Sequence, residues 1–234
     1  MRLYGLTGFA AAGLSATAAF APYCAFSGAM SLSAIGLKCE ERFEDSLPPS
    51  GWEAYFDGGE CPLYQRTPRS TRSGLYSCRD ESWDGGTALG FLAKQQSSIV
   101  FGLSFRNDTG LSTVVESIGF DAGRWNHSNT KSDQRISFEW RISREEGSVL
   151  EGEWTEVESL STDIPMADDS LSGGPVEMAR REISPAGIKI APGEILFVRW
   201  VFNGPEKSKG SSALVAIDGL SIRFRMKGFV LLIK

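Results

Sequence analysis

Three groups of side chains in this 234-residue chain are spaced so that they could do chemistry. The first is Arg124-Trp125-Asn126-His127-Ser128-Asn129, echoed by Trp83 and Asp84 in a separate polar stretch. An indole offers a flat apolar plate, and amides and carboxylates take hydroxyl groups, so the composition suits contact with a sugar. The competing reading is that Trp125 closes one end of the folded core. The second group is Arg66, Arg69 and Arg72, which recur every third residue around Pro68. A polyproline II segment turns once in three residues, which would line the guanidinium groups along one edge, able to grip an acidic or sulfated polymer. A solvated loop is the alternative. The third group is the cysteines. Cys61 and Cys78 fall in a stretch rich in Arg, Pro and Ser, and a bridge between them would stabilise the fold by about 3 kcal/mol through the loop it closes. That bridge is the expectation, with two free buried thiols as the alternative. Cys24 lies in or near the apolar N-terminal region and Cys39 just after it, and no Cys-x-x-Cys or Cys-His spacing points to zinc.

The single histidine restricts catalysis, because a Ser-His-Asp or Cys-His device could use only His127, and no nucleophile motif accompanies it. Carboxylates are plentiful, yet Glu139 falls on the polar side of its strand and Glu153, Glu156 and Glu158 read as a solvated edge. A retaining hydrolase would need two carboxyl groups about 5 Å apart. The expectation is a protein that is not an enzyme. Lys and Arg number 24 against 29 Asp and Glu, a formal charge of −5 with no basic block, which argues against nucleic acid as a partner. Hydrophobic residues at 41% and aromatics at 11% exclude a disordered chain.

From Leu3 to Leu37 the chain carries no charge. Arg2 followed by an apolar stretch and small residues has the form of a secretory signal, with cuts offered after Ala18, after Ala21 (disfavoured by Pro22) or at Ser27-Gly28-Ala29. The rivals are an uncleaved anchor and a true start at Met30. Residues 1–39 are therefore expected to be a signal or membrane anchor, 40–226 the folded domain and 227–234 an apolar tail or extra strand. A secreted or cell-surface location follows, with membrane contact only through an uncleaved N-terminal segment.

These groups need elements to position them, and the elements are strands. Ile99, Phe101, Leu103 and Phe105 alternate with polar or small residues, as do Ile136, Phe138, Trp140 and Ile142. Shorter runs repeat the pattern at Ile118, Ile188 and Leu220. Ile195 to Phe202 is apolar on both faces except for Arg199, as befits a central covered strand. Turn residues separate the runs at Asn107-Asp108-Thr109-Gly110, Gly173-Gly174-Pro175, Ala191-Pro192-Gly193 and Asn203-Gly204-Pro205. The best helix candidate, Pro175 to Glu182, is short. The fold expected is all-β: two packed antiparallel sheets.

Several segments in order along the chain carry a resemblance. These are Phe43-Glu44-Asp45-Ser46-Leu47-Pro48-Pro49-Ser50-Gly51-Trp52, Gly74-Leu75-Tyr76-Ser77, Ala88-Leu89-Gly90, Gly123-Arg124-Trp125, Gly152-Glu153-Trp154-Thr155 and Ala216-Ile217-Asp218-Gly219-Leu220-Ser221-Ile222. Together they resemble bacterial secreted jelly-roll domains similar to carbohydrate-binding modules, over about Glu40 to Phe224. The resemblance implies a jelly-roll β-sandwich and a non-catalytic module that binds extracellular polysaccharide or a cell-surface component. A structural or adhesion protein without a small ligand is the alternative, and a glycan-cleaving enzyme a lesser one; the Glu-x-Asp-x-x-Glu strand of jelly-roll glycosidases does not occur. The resemblance also implies a structural calcium tying the first strand to the last, with Glu44 and Asp218 at the corresponding places, and it implies that Trp125 closes the sandwich. Parity with Leu220, Ile222 and Phe224 would turn Asp218 inward.

Overall fold

Strands with one apolar face must bury it, and two sheets laid face to face are the economical solution. The computed structural model describes residues 28–44, 49, 51–65, 72–79, 86–94, 96–126, 133–165, 177–205 and 213–227. Its strands are β1 (Met30–Ser31), β2 (Lys38–Glu41), β3 (Trp52–Phe56), β4 (Gly59–Glu60), β5 (Leu63–Tyr64), β6 (Gly74–Arg79), β7 (Thr87–Leu92) and β8 (Ser98–Arg106). They continue as β9 (Thr113–Asn126), β10 (Gln134–Ser143), β11 (Thr155–Glu156), β12 (Thr162–Ile164), β13 (Glu177–Ile183), β14 (Lys189–Ile190), β15 (Ile195–Asn203) and β16 (Leu214–Met226).

The first sheet runs β11-β10-β15-β8-β3-β4, with β1 beside β8 and β12 beside β10. The second runs β13-β9-β16-β7-β6-β5, with β14 beside β9 and β2 beside β16. Among the described residues, only β1 with β8 and β5 with β6 pair in parallel. From β8 onward the long strands alternate between the sheets: β8, β10 and β15 in the first, β9, β13 and β16 in the second. That repeated crossing is the jelly-roll arrangement, and the all-β sandwich expected from the period-two pattern is what the chain forms.

The core lies between the sheets. Trp52 stacks on Phe101 with ring centres 4.4 Å apart. Trp200 of the first sheet meets Phe120 of the second edge-on at 5.3 Å, and its neighbour Phe138 at 5.2 Å. Such rings bury much apolar area in preferred geometries. Among the described residues the buried Trp200 Nε1 meets no hydrogen-bond partner, the cost of placing an indole at the centre of the sandwich.

Three expectations change. The domain starts before Glu40: Met30 and Ser31 pair with Phe105 and Arg106, Leu32 is fully buried, and β2 pairs with β16. Burial of Leu32 and these backbone bonds draw residues 30–39 into the sandwich. The segment considered for a short helix contributes β13 instead, because Glu177 to Ile183 pair residue by residue with Arg124 to Ile118 of β9, and tertiary pairing overrides weak local preference. Lastly, β16 breaks its alternation between Asp218 and Ser221. Gly219 adopts φ +57° there, a conformation glycine supplies at little cost, and the bulge lets Ile217 and Leu220 both enter the core. Residues 1–27 of the expected signal or anchor region 1–39, and 228–234 of the expected tail 227–234, lie outside the described residues.

Candidate functional site on the outer face of the first sheet

Of the sugar-contact candidates, Trp125 is fully buried. It packs in a cluster with Tyr76, Cys78, Ala88, Leu92, Leu214 and Ala216. The side chain of Asn126 and all of His127, Asn129, Trp83 and Asp84 lie outside the described residues, as do Arg66 and Arg69. Arg72 is exposed, and its carbonyl accepts a hydrogen bond from the Tyr76 hydroxyl at 2.5 Å. No disulfide joins Cys61 and Cys78. Cys61 packs with the core between the sheets, whereas Cys78 alternates with core residue Leu75 and its neighbours to the opposite side of β6, so the sheet separates the two sulfurs.

Asp218 is 3% exposed and accepts the Gly219 N–H at 2.7 Å. It stands directly opposite Asp121 on β9. Because Asp121 lies between core residues Phe120 and Ala122, both carboxylates point away from the core, and the inward orientation expected from parity with Leu220 is corrected by the bulge. Burial raises the Asp121 pKa, opposed by Arg180, whose Nη1 is 3.9 Å from Asp121 Oδ2 and donates to the Gly219 carbonyl at 3.1 Å. The ends of β2 and β7 meet along β16 beside this bulge, since Glu41 pairs with Leu220 and Leu89 with Ile217. Glu44 is exposed and reaches Gly86, just before β7. Among the described residues no three His, Cys, Asp or Glu side chains are grouped to hold a metal ion, although calcium is also ligated by carbonyl oxygens.

The most developed polar constellation is on the outer face of the first sheet. Register places Glu139, Arg199, Gly102 and Glu53 in one row across β10, β15, β8 and β3. The next row holds Ser137, Val201, Val100 and Tyr55. Arg199 donates from Nε and Nη2 to Glu139 Oε2, both at 2.7 Å. The two side chains are only 15% and 17% exposed, so the pair is shielded more than a surface ion pair. The Arg199 guanidinium also lies 3.9 Å from the centre of the half-buried Trp154 ring, a cation–π contact. Trp154 Nε1 donates to the Glu151 carbonyl at 3.0 Å. Across the face, the Tyr55 hydroxyl donates to Glu53 Oε2 at 2.8 Å and accepts from Ser148 Oγ at 3.0 Å.

Arg141 completes the group, 3.8 Å above the Phe197 ring centre. Burial lowers its pKa, with Glu151 opposing and the charge of Arg199 adding to the effect. At the neighbouring edge, Arg135 binds Glu156 at 2.8 Å, Glu158 at 2.6 Å and Asp163 at 2.6 Å. Glu156 and Glu158 are therefore ion-paired, where a merely solvated edge was expected. The constellation thus presents two aromatic rings, fixed by hydrogen bonds and a guanidinium, beside carboxylate and hydroxyl groups. It can hold an apolar flat face and hydroxyls together. Sequence reasoning passed over Trp154 and Tyr55 as site residues; the available signal was Arg199, the lone charge in a strand apolar on both faces.

No protein-family model matches the sequence, and no curated protein matches it. Solved structures of similar architecture include the TmCBM61 module in complex with beta-1,4-galactotriose, at 15% identity over 78% of this chain and 91% of that one, with a TM-score of 0.40. Another is the CBM22-1 xylan-binding domain of Xyn10C from Paenibacillus barcinonensis, at 10% identity over 81% and 95% of the two chains and a TM-score of 0.40. The K3 cleaved adhesin domain of Lys-gingipain from Porphyromonas gingivalis is similar at 11% identity over 79% and 98%, with a TM-score of 0.47. At these identities the ligands remain properties of those proteins.

Proposed function

We propose that the protein is an exported, non-catalytic β-sandwich module that binds extracellular carbohydrate or a cell-surface component carrying it. The observation that carries this is the outer face of the first sheet, where Trp154 rests on an Arg199 guanidinium held by Glu139, and Tyr55 stands in the next row, hydrogen-bonded to Glu53. A pyranose has an apolar C–H face and a rim of hydroxyls. Pre-positioned rings beside charged acceptors and donors match both, and pre-positioning lowers the entropic cost of binding. A glycan array followed by titration calorimetry tests the proposal. The purified protein is expected to bind a glycan saturably without releasing reducing ends. Trp154→Ala is expected to weaken that binding about tenfold or more, the scale of truncating an aromatic anchor. Silence across the array would favour a structural or adhesion role, and reducing-end release would make the protein an enzyme.

The calcium proposal is kept for Glu44 and Asp218. It is supported by the register that brings the end of β2 and the start of β7 to the Asp218 bulge. Calcium there would join the two segments to β16 by charge; it takes no part in the sugar contact proposed above.

A further inference from the structure

Between β10 and β11, Gly147 to Gly152 crosses the outer face of the first sheet. Among the described residues, no backbone ladder joins this segment to the sheet; side chains of the sheet grip its main chain instead. Val149 is the centre of the grip. Its N–H donates to Glu53 Oε2 at 3.3 Å and its carbonyl accepts from Arg199 Nη1 at 2.9 Å. The preceding carbonyl, of Ser148, accepts from Arg141 Nη2 at 3.0 Å. The Val149 side chain is fully buried in a cluster with Val100, Ile195 and Phe197. In the row between the two gripping residues stands Gly102, which offers no side chain.

Two features make this segment separable from the sheet. Two of the three grips are partnered without it: Arg199 keeps Glu139 and Glu53 keeps Tyr55, so lifting the segment strands neither of those charges, while Arg141 would exchange the Ser148 carbonyl for water and keep its place over the Phe197 ring. Both ends are glycines pressed against Arg141. A Cβ at Gly147 would stand 3.2 Å from its Nη2 and one at Gly152 3.0 Å from its Cδ, and Gly152 has φ +92°. Residues that absorb large backbone rotations at both ends are what a hinge requires.

We propose that Gly147 to Gly152 is a hinged strap that occupies the outer face as an internal ligand, and that lifting it opens the row Glu53, Gly102, Arg199 and Glu139 to an extended carbohydrate chain. The proposal rests on the carbohydrate reading of that face. A site open only part of the time binds with an apparent affinity reduced by the open fraction. Replacing Ser148-Val149-Leu150 by three glycines removes the buried anchor and is expected to tighten binding of cello-, xylo-, manno- or galacto-hexasaccharide at least fivefold. In the unaltered protein, hydrogen exchange at the Val149 and Leu150 amides is expected to run faster than in β8 and β15, and to accelerate further with a saturating hexasaccharide. Exchange at those amides only on global unfolding, unmoved by bound sugar, would overturn the strap even if the triple variant failed to fold. Equal hexasaccharide affinities for a folded variant and the parent would overturn it too, leaving the carbohydrate reading intact. Local strap opening with no hexasaccharide bound by either protein would overturn the ligand instead.

Discussion

Cys78 and Cys61 show how strongly one face of a strand differs from the other. Burial pushes the Cys78 thiol up, and Cys39 is pushed up to about 12 by burial with Glu41 and Glu40 adding to it. The thiolate is the reactive form, so Cys78 and Cys39 are expected to be inert in the native protein, and burial shields Cys61 from reagents. Incubation of the folded protein with iodoacetamide at pH 8 should leave Cys61 and Cys78 unmodified, and unfolding without reductant should make both alkylatable. A linked Cys61–Cys78 peptide in the non-reduced digest would show that the sheet does not separate them. Asp108 is the other telling residue, because its carboxylate accepts hydrogen bonds from the Ser31 hydroxyl, the Ser33 N–H at 2.9 Å and the Ser33 hydroxyl at 2.9 Å. Those bonds hold its pKa down to about 2, with Ser31 contributing most.

That carboxylate acts through an element, the first strand. β1 has only two residues, and Leu32 follows it into the core with Ile35 and Leu37 half-buried against it, so a clamp on Ser31 and Ser33 matters for its docking onto β8. A depressed folded pKa means that the stabilisation is fully present above the unfolded aspartate value and is lost as pH falls through the folded value. The window therefore runs from about pH 4 down to about pH 2. Between these limits the amides of residues 31–37 are expected to lose exchange protection before those of β8, and in Asp108→Asn the loss should already be present at pH 7 and show little further change on acidification. Equal acid sensitivity in the variant would remove Asp108 from the account. The same element explains the domain start: a fragment beginning at Glu40 would lack β1, Leu32 and half of β2.

For the whole molecule, what closes the sandwich is the long β9–β16 pair with β2 and β7 end to end along the other side of β16. If Glu44 and Asp218 hold calcium at that junction, the ion ties three segments together and stabilises only the native state. At a free concentration 100 times the dissociation constant the gain is about 2.7 kcal/mol, a shift of about 5–11 °C for a domain of this size, in which each kcal/mol moves the midpoint by about 2–4 °C. Melting by calorimetry with calcium and with chelator should differ by that amount, and Asp218→Asn should abolish the difference. Identical melting curves would leave Asp218 as a buried acceptor of the Gly219 N–H.

Local alternation determined most of the strands, because a side chain's face in an extended chain depends only on its parity, and β8 and β10 carry that parity in their residues. The covered central position of β15 was legible for the same reason, from apolar residues on both of its faces. Parity fails where the backbone inserts a residue, and the Gly219 bulge that reverses Asp218 shows itself in the register against β9, which a single strand's residues do not reveal. β13 was illegible because it is an edge strand, held extended by bonding to β9, which is distant in sequence. The candidate site is the extreme case: Glu53, Arg199, Glu139 and Trp154 lie on four separate segments, and only register, which is decided by the packing of the whole core, brings a tryptophan from a loop over an arginine from a strand about 45 residues away.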